Sequence, residues 1–239
     1  MQRPRFLDSG EAALVVEFGS TVDPAISARV LALDAAMSRA AVPGVRETVP
    51  TYRSLMVHYD PLRIDRAELV EAVTALDPGE VEAAAGARWT LPCCYEGSYG
   101  EEVAQVAEAL KLTPEEVVRL HSGATFRAYM YGFAPGFCYL GGLPEALGIS
   151  RRATPRPPHP AGATLIAGGL AIISTFSMPT GWWVLGRTPE RLFAPERETP
   201  FLVAVGDEIR FEPIPASEFP ALAARTAAGE TVARRESLL

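Results

Sequence analysis

The sequence predicts an α+β protein with a ferredoxin-like α/β domain at its N-terminus and a β-barrel or sandwich in its C-terminal part. Two observations indicate this division. Up to residue 93, strand-like and helix-like segments alternate in the order β-α-β-β-α-β, which is that of a split βαβ domain. From Phe126 onward, short apolar runs are separated by glycine and proline turns, which is typical of barrels and sandwiches. We therefore place two domains, at residues 1–86 and 87–239.

The N-terminal domain is predicted from apolar spacing and from turn residues. Asp23 and Pro24 supply a helix N-cap and a first-turn proline, and apolar residues then recur at helical spacing. Strands are predicted at 12–18, 45–50, 54–59 and 88–93, and helices at 25–41 and 65–76. The segment at 83–86 is a weak candidate for the junction between the two domains. The strand at 88–93, which follows it, is assigned as the last strand of the N-terminal domain.

The C-terminal domain begins with a helical lead-in at 99–122 and continues with short strands. Thr113 and Glu116 have the spacing of a capping box, which marks the start of a helix. Helices are predicted at 101–110 and 114–122, and strands at 127–131, 163–167, 170–175, 182–185, 201–205 and 208–213. The tail at 216–239 is predicted to form a short helix with a frayed end.

Composition and charge exclude several classes of protein. The net charge of −7 argues against binding to nucleic acid through bulk charge. No apolar run of about 18 residues is present, so a membrane span is not expected. No apolar segment follows the first arginines, so a secretory signal is not expected either. Cys93, Cys94 and Cys138 lack metal-ligand spacing, which indicates reduced thiols in a cytoplasmic protein without a metal site.

Lys111 is the only lysine in the chain, and every other basic side chain apart from histidine is arginine. A P-loop requires a lysine after its glycines, and a biotin carrier requires a lysine to modify. Lys111 stands between two predicted helices and suits neither role. The sequence therefore excludes a P-loop and a biotin attached to this chain. Any phosphate or carboxylate must be held by arginine, by backbone N–H groups or by a partner.

The stretch at 131–144, YGFAPGFCYLGGLP, interleaves glycine and proline with aromatic and large apolar residues. Glycine permits positive φ and proline fixes φ, so the two together predict an irregular loop. Such an apolar loop is not stable in water. Phe133, Phe137, Tyr139 and Leu140 are therefore expected either to pack into a core or to wall a pocket.

Three arginines, Arg151, Arg152 and Arg156, crowd the proline-rich loop that follows. They either form a solvated charged loop or present their planar guanidinium groups to a carboxylate or phosphate. His159 in the same loop is either a donor or base, or an exposed imidazole.

Three further features have both a structural and a functional interpretation. His121 lies at the predicted end of a helix, where histidine usually caps or packs. Gly168 and Gly169 form either a turn or a close approach to a ligand. Of Trp182 and Trp183, one is expected in the core and the other at a cleft or partner. No Ser-His-Asp order, zinc motif or dinucleotide fingerprint accompanies them.

Several ordered blocks of the sequence, between about residues 121 and 214, resemble one family. The blocks are HSGATFRAYMYGFAPGFCYLGGLP, RRATPR, PAGATLIAGG, GWWVLGRTP, LFAP and GDEIRFEPI. They are similar to the KipI family, also called allophanate hydrolase subunit 1 or the B subunit of the bacterial ATP-dependent 5-oxoprolinase. The resemblance implies a cyclophilin-like β-barrel in the C-terminal domain, after a small α/β N-terminal domain.

The resemblance also implies a reaction and partners. Family members pair with a KipA-type subunit (allophanate hydrolase subunit 2, or the C subunit of 5-oxoprolinase). With a LamB/YcsF-type third subunit, they cleave 5-oxoproline to glutamate using ATP. This implies a cytoplasmic hydrolase subunit, inactive alone, with ATP shared with or bound by the partner. The alternatives are the carboxyltransferase part of a biotin-dependent urea carboxylase, and a binding protein that inhibits a histidine kinase.

The resemblance places the expected substrate site at arginines and aromatic residues of the matching blocks. Arg152, Arg156 and Arg187 are predicted to bind the carboxylate or phosphate of a small-molecule substrate. Arg156 and His121 are assigned as catalytic, with His121 polarising the substrate or transferring a proton. The remaining residues assigned to substrate binding are Phe137, Tyr139, Gly168, Gly169 and Trp182.

One segment departs from the pattern expected of the family. Where members should read close to IAGGQTGIYP and SPGGW, this chain reads IAGGLAIISTFSMPTGW. Leu170 replaces a glutamine, Ser174 and Thr175 replace tyrosine and proline, and Thr180 replaces a glycine. The lost amide removes a hydrogen-bonding group for a polar substrate. Another amide, lactam or urea-like compound is therefore an alternative to 5-oxoproline as the substrate.

Overall fold

The computed structural model describes residues 3–76 and 86–238. The chain divides into two compact units, Met1–Ala84 and Ala85–Leu239. The α+β fold class predicted from the sequence is confirmed. The predicted domain junction at 83–86 lies mostly outside the described residues, so the domain boundary stays a prediction.

In its described residues, the N-terminal unit consists of a four-stranded antiparallel sheet and two helices. Its elements are β1 (Arg5–Asp8), β2 (Ala13–Glu17), α1 (Pro24–Ala40), β3 (Val45–Pro50), β4 (Ser54–Tyr59) and α2 (Arg66–Ala75). The strand order is β1-β2-β4-β3. Asp23 caps α1 as predicted, because its carboxylate accepts the N–H groups of Ala25 and Ile26 at 2.7 and 3.1 Å. Alternate residues of β2 and β4, such as Leu14 and Leu55, are fully buried in the core.

The C-terminal unit contains the remaining strands and helices. Its first half comprises β5 (Ala87–Cys94), α3 (Val103–Leu110), α4 (Pro114–Gly123), β6 (Phe126–Tyr131), β7 (Cys138–Gly141) and β8 (Arg156–His159). Its second half comprises β9 (Ala163–Ala167), β10 (Leu170–Ile173), β11 (Met178–Thr180), β12 (Trp183–Arg187), β13 (Glu208–Ile214), α5 (Phe219–Ala227) and β14 (Arg234–Ser237). The capping box at Thr113 and Glu116 forms as predicted and begins α4.

Seven of these strands close into a barrel in the order β12-β9-β10-β7-β6-β13-β5. The pairing of Arg187 in β12 with Cys94 in β5 completes the ring. The separate pair β8 and β11 lies outside it, and β14 adds to the free part of the β5 edge. Leu91, Ile166 and Leu185 are among the fully buried side chains of this unit's core. None of the helices described is both long and apolar enough to cross a membrane.

The strand predicted at 88–93 forms as β5, but its assignment to the N-terminal domain is wrong. β5 runs parallel to β13 in the barrel, and β1 occupies the outer position of the N-terminal sheet instead. The cause lies at Asp207, whose buried carboxylate accepts the Ala87 N–H at 2.8 Å and the Trp89 indole N–H at 2.9 Å. These bonds hold the start of β5 beside β13.

The strand predicted at 201–205 is also wrong. Only Phe201 pairs there, in an isolated bridge with Phe193. The Asp207 carboxylate accepts the Ala204 N–H at 2.9 Å, and the Asp207 N–H donates to the Ala204 carbonyl at 3.1 Å. This tight turn removes the backbone groups that a ladder would need.

The tail forms the predicted helix, α5, but continues as β14 on the edge of β5 and not as a frayed end. The carboxylate of Glu190 accepts the N–H groups of Val232 and Ala233, at 2.7 and 2.9 Å. A buried carboxylate thus directs the chain onto the barrel. The sequence pattern also missed the short strands β1, β7, β8 and β11, since three or four residues carry too little periodicity.

Candidate functional site

The aromatic stretch at 131–144 surrounds the turn between β6 and β7 and borders a cavity of about 280 Å³. We call it the aromatic cavity. Its aromatic walls are Phe133, Phe137, Tyr139 and Trp182, and Arg151 and Thr180 also line it. Three of the residues assigned to substrate binding therefore meet at one place, while Leu140 is fully buried in the core.

The aromatic rings of this cavity form a continuous wall. The ring centroids lie 5.2 Å apart between Phe133 and Phe137, 5.5 Å apart between Phe137 and Tyr139, and 6.4 Å apart between Tyr139 and Trp182. Phe137 is only 4% exposed, whereas Phe133 is 70% exposed. The wall therefore extends from the core to the solvent, and it suits a small flat molecule.

Phe133 has a backbone conformation that is rare for a residue with a side chain, with φ at 69°. A tight turn holds it there, because the Ala134 N–H donates to the Gly132 carbonyl at 2.8 Å and the Phe137 N–H donates to the Ala134 carbonyl at 3.0 Å. Strain of this kind persists where the surrounding structure imposes it, and it concentrates at binding sites.

The three arginines of the proline-rich loop separate into two groups. Arg152 donates from Nη1 to Glu102 Oε1 at 2.6 Å, and Arg156 forms an ion pair with Glu101. Their charges are thus already compensated within the chain. Arg151 lines the aromatic cavity, is exposed, and has no carboxylate partner in the part of the chain that the structure describes. Arg151, which the sequence reasoning did not select, is therefore the arginine of this loop that can receive an anion.

Glu102 holds the loop against the barrel. Its side chain is only 7% exposed, and its Oε2 accepts the Val184 N–H of β12 at 2.7 Å and lies 3.7 Å from Arg156 Nη1. The guanidinium of Arg152 also lies 4.6 Å from the ring centroid of Trp183. Sequence reasoning missed Glu102, because nothing local distinguishes it from any acidic residue at a helix start.

The structure supports the packing interpretation of His121. The side chain is fully buried, 4.8 Å from the Phe211 ring and 5.1 Å from the Phe126 ring, and Nδ1 lies 2.9 Å from the Tyr95 hydroxyl oxygen. Burial lowers the pKa of His121 to about 3, so the imidazole is neutral at physiological pH. His121 does not border the aromatic cavity. His159 is also buried, so the alternative of an exposed loop imidazole is wrong.

Gly168 and Gly169 form the two-residue turn between β9 and β10. Their φ angles of 57° and 81° are both positive, and Ala167 pairs with Leu170 on either side. A Cβ atom on either glycine would meet no atom within 4 Å. The geometry therefore favours the turn and shows no close approach of this backbone to a neighbouring group.

Arg187 lies apart from the other predicted binding residues, at the edge of a second cavity of about 430 Å³. Of the four positions that depart from the family's pattern, Ser174 and Thr175 line this second cavity and Thr180 lines the aromatic cavity. The segment whose sequence differs from the family's pattern thus borders both cavities.

The thiols are not suited to act as nucleophiles. All three cysteines are free and buried, and burial raises the pKa of Cys93 and of Cys138 to about 12. Both are therefore protonated at neutral pH. Within residues 3–76 and 86–238, no group of three or more His, Cys, Asp or Glu side chains is placed to hold a metal ion.

Comparison with known proteins gives consistent matches. The profile of a family described as the carboxyltransferase domain, subdomain C and D, matches residues 4–203. The B subunit of 5-oxoprolinase from Bacillus subtilis (strain 168) is 32% identical over 225 residues, which cover 89% of this chain and 93% of that protein.

Solved structures resemble the chain in fold as well. The crystal structure of TTHA0988 superposes with a TM-score of 0.74 at 36% identity, covering 84% of this chain. This chain spans only 40% of the length of that protein. The urea carboxylase of Kluyveromyces lactis superposes with a TM-score of 0.81 over 98% of this chain and 24% of its own, at 18% identity. At that identity the match shows the fold alone.

Proposed function

This chain belongs to the family of carboxyltransferase domains, subdomains C and D, and from that premise we propose that it is a non-autonomous subunit of a 5-oxoprolinase-like enzyme. The enzyme would open a small cyclic amide at the expense of ATP. Relatives that match most of the chain are named as the B subunit of 5-oxoprolinase, which supports this choice.

The residues that line the aromatic cavity support a subunit that depends on its partners for catalysis. Among the described residues that line it, Arg151 and Tyr139 are the only ones with ionisable side chains, and none is His, Asp, Glu, Lys or Cys. A cavity with this lining can bind and orient a substrate, but it offers no group whose usual pKa suits a general base near neutral pH. This observation carries the proposal, because an active site built on this cavity would take its base and its water-activating groups from another subunit.

Within that scheme, the substrate's features match the cavity. 5-Oxoproline is a small ring that carries a carboxylate. The aromatic wall would pack against the ring, and Arg151 would bind the carboxylate through its planar guanidinium. The Thr180 hydroxyl, which accepts the Trp182 N–H at 3.1 Å, retains its own hydrogen to donate. When bound, ATP would supply the phosphoryl group that converts the amide oxygen into a leaving group.

The partners of the proposal are a KipA-type subunit and a LamB/YcsF-type subunit. We expect 5-oxoproline to drive ADP release only when this chain is combined with both, with glutamate as the product. The measurement is coupled ADP release by the assembled set against each component alone. Turnover by this chain alone would contradict the non-autonomous role. A stable complex without turnover would exclude 5-oxoproline as the substrate, and urea-like compounds and other lactams would then be tested.

The role of Arg151 gives a sharper test in the same assay. Replacing Arg151 with Met should lower kcat/KM for 5-oxoproline about 10- to 100-fold, mainly through KM, because a charge-assisted contact contributes about 1.5–3 kcal/mol. With 2-pyrrolidinone, which lacks the carboxylate, Arg151→Met and wild type should differ little. Arg225→Met is the control, since Arg225 is an exposed arginine paired with Glu230. Equal losses with both compounds would remove Arg151 from carboxylate binding.

The family description names a carboxyltransferase domain, which favours carboxyl transfer as a second candidate. In this candidate we propose urea as the acceptor and a biotin carrier on another subunit as the donor. Urea-dependent consumption of bicarbonate and ATP, with a biotin carboxylase and a carrier supplied, would distinguish this activity from lactam opening. The binding-protein alternative, inhibition of a histidine kinase, stays a prediction that kinase binding by the isolated chain would test.

A further inference from the structure

The second cavity, of about 430 Å³, lies beside the ends of β10 and β12. We call it the Arg187 cavity. Arg187, Ser174 and Thr188 supply polar groups to its lining, and Phe193 supplies an apolar wall. The residues lining it and those lining the aromatic cavity form two separate sets. The two cavities can therefore hold different ligands.

Arg187 is the arginine of this cavity whose charge the chain leaves uncompensated. Its Nε donates to the Ala161 carbonyl at 2.8 Å, and its guanidinium carbon lies 5.3 Å from the centroid of the Phe219 ring. These contacts fix the direction of the guanidinium but involve no carboxylate. No ion pair to Arg187 is present among the described residues, and both Nη nitrogens remain available to an incoming anion. By contrast, Arg191 in the same lining pairs with Glu196.

Glu190 is the carboxylate in the lining, and both of its oxygens already bond to other groups of this chain. Its Oε1 accepts the Arg191 N–H at 2.9 Å and lies 3.1 Å from Arg197 Nη2. Its Oε2 accepts the N–H groups of Val232 and Ala233. Arg197 balances the charge of Glu190, so this carboxylate leaves the positive charge of Arg187 available to a ligand.

Two hydroxyl groups add neutral donors to the cavity. Thr188 Oγ1 accepts the Glu190 N–H at 3.1 Å and therefore keeps its own hydrogen to donate. Ser174 is buried, and its Oγ lies 3.4 Å from His159 Nδ1, beyond the length of a strong hydrogen bond. A fixed guanidinium with nearby hydroxyl donors suits a tetrahedral oxyanion with several acceptor oxygens.

We propose that the Arg187 cavity is a binding site for the phosphoryl group of a small organic phosphate, separate from the aromatic cavity. Arg187 provides the charge, Ser174 and Thr188 provide hydroxyl donors, and the apolar wall at Phe193 makes room for the organic part. The inference does not depend on 5-oxoproline being the substrate. It assigns to this chain a phosphate site that contains neither lysine nor a glycine-rich loop.

Calorimetric titration of the full chain tests the site without any need for turnover. The probes are ADP, pyrophosphate, inorganic phosphate and acetate at constant ionic strength. We expect ADP to bind more tightly than inorganic phosphate, and acetate to give no saturable heat in the same range. Inorganic phosphate binding as tightly as ADP would show a site for the free ion and overturn the organic ligand. No saturable heat with any phosphate compound up to millimolar concentration would overturn the site itself.

Two variants locate the site. Arg187→Met keeps the aliphatic part of the side chain over Phe219 and should weaken ADP binding about tenfold or more, as expected for a lost charge-assisted contact. Arg151→Met and the exposed control Arg234→Met should bind ADP as wild type does. Equal weakening in all three would indicate binding through bulk charge and would overturn the proposal. Because Arg151→Met tests the lactam site separately, failure of the proposed function and failure of this inference give different results.

Discussion

Replacing Glu102 with alanine should lower the free energy of unfolding by about 3–5 kcal/mol, as expected when one partner of a buried ion pair is removed. Glu102 is the counter-charge for Arg152 at 2.6 Å, and its other oxygen accepts the Val184 N–H. The side chain of Arg156 is only 10% exposed, and its Nη1 has no hydrogen-bond partner in the described residues. Without Glu102, two guanidinium groups lose a buried anion, and one backbone donor loses its acceptor.

Urea unfolding of the full chain, followed by tryptophan fluorescence, measures this effect. Glu102→Gln should fall between wild type and Glu102→Ala, since the amide oxygen still accepts hydrogen bonds but carries no charge. Glu230→Ala is the matched control, because Glu230 and its partner Arg225 are each 53% exposed, and such pairs contribute about 0–1 kcal/mol. If Glu102→Ala were no more destabilising than Glu230→Ala, the buried network would not be what holds the arginine loop.

Stability is expected to fall by about 1.4 kcal/mol per pH unit between about pH 6.5 and pH 3 through His121 alone. Burial lowers the pKa of His121 from 6.5 to about 3 in the folded chain. The unfolded chain therefore binds a proton in this range while the folded chain does not. Its contribution is fully present above pH 6.5, decreases as the pH falls, and levels off near pH 3.

The measurement compares wild type with His121→Asn in urea unfolding at several pH values. Asparagine cannot titrate here, while its side-chain amide can either donate to or accept from the Tyr95 hydroxyl, which lies 2.9 Å from His121 Nδ1. The variant loses packing against Phe211, so it should be less stable at pH 7, but the difference from wild type should shrink as the pH falls. Titration of carboxylates is common to both proteins and cancels in that difference. Parallel curves would show that His121 takes up protons in the folded state and would restore it as a candidate for proton transfer.

The sequence alone determined the features that depend on neighbouring residues. The N-cap at Asp23, the capping box at Thr113 and the helices they begin follow from side chains that bond to backbone groups two or three positions away. The turn at Gly168 and Gly169 follows from the freedom of glycine at positive φ. The ordered blocks of the second half also identified the family, because their residues occur together in one order.

Only the tertiary structure decided which groups meet across the chain. Glu102 and Arg152 are separated by 50 positions, and Asp207 and Ala87 by 120, so no local pattern could pair them. The first contact compensates the charge of Arg152, which was assigned to substrate binding. The second holds the start of β5 in the barrel. The same folding leaves Arg151 and Arg187 without carboxylate partners among the described residues and buries His121. Local preferences select helices and turns, whereas the free charge of an arginine depends on which distant carboxylate reaches it.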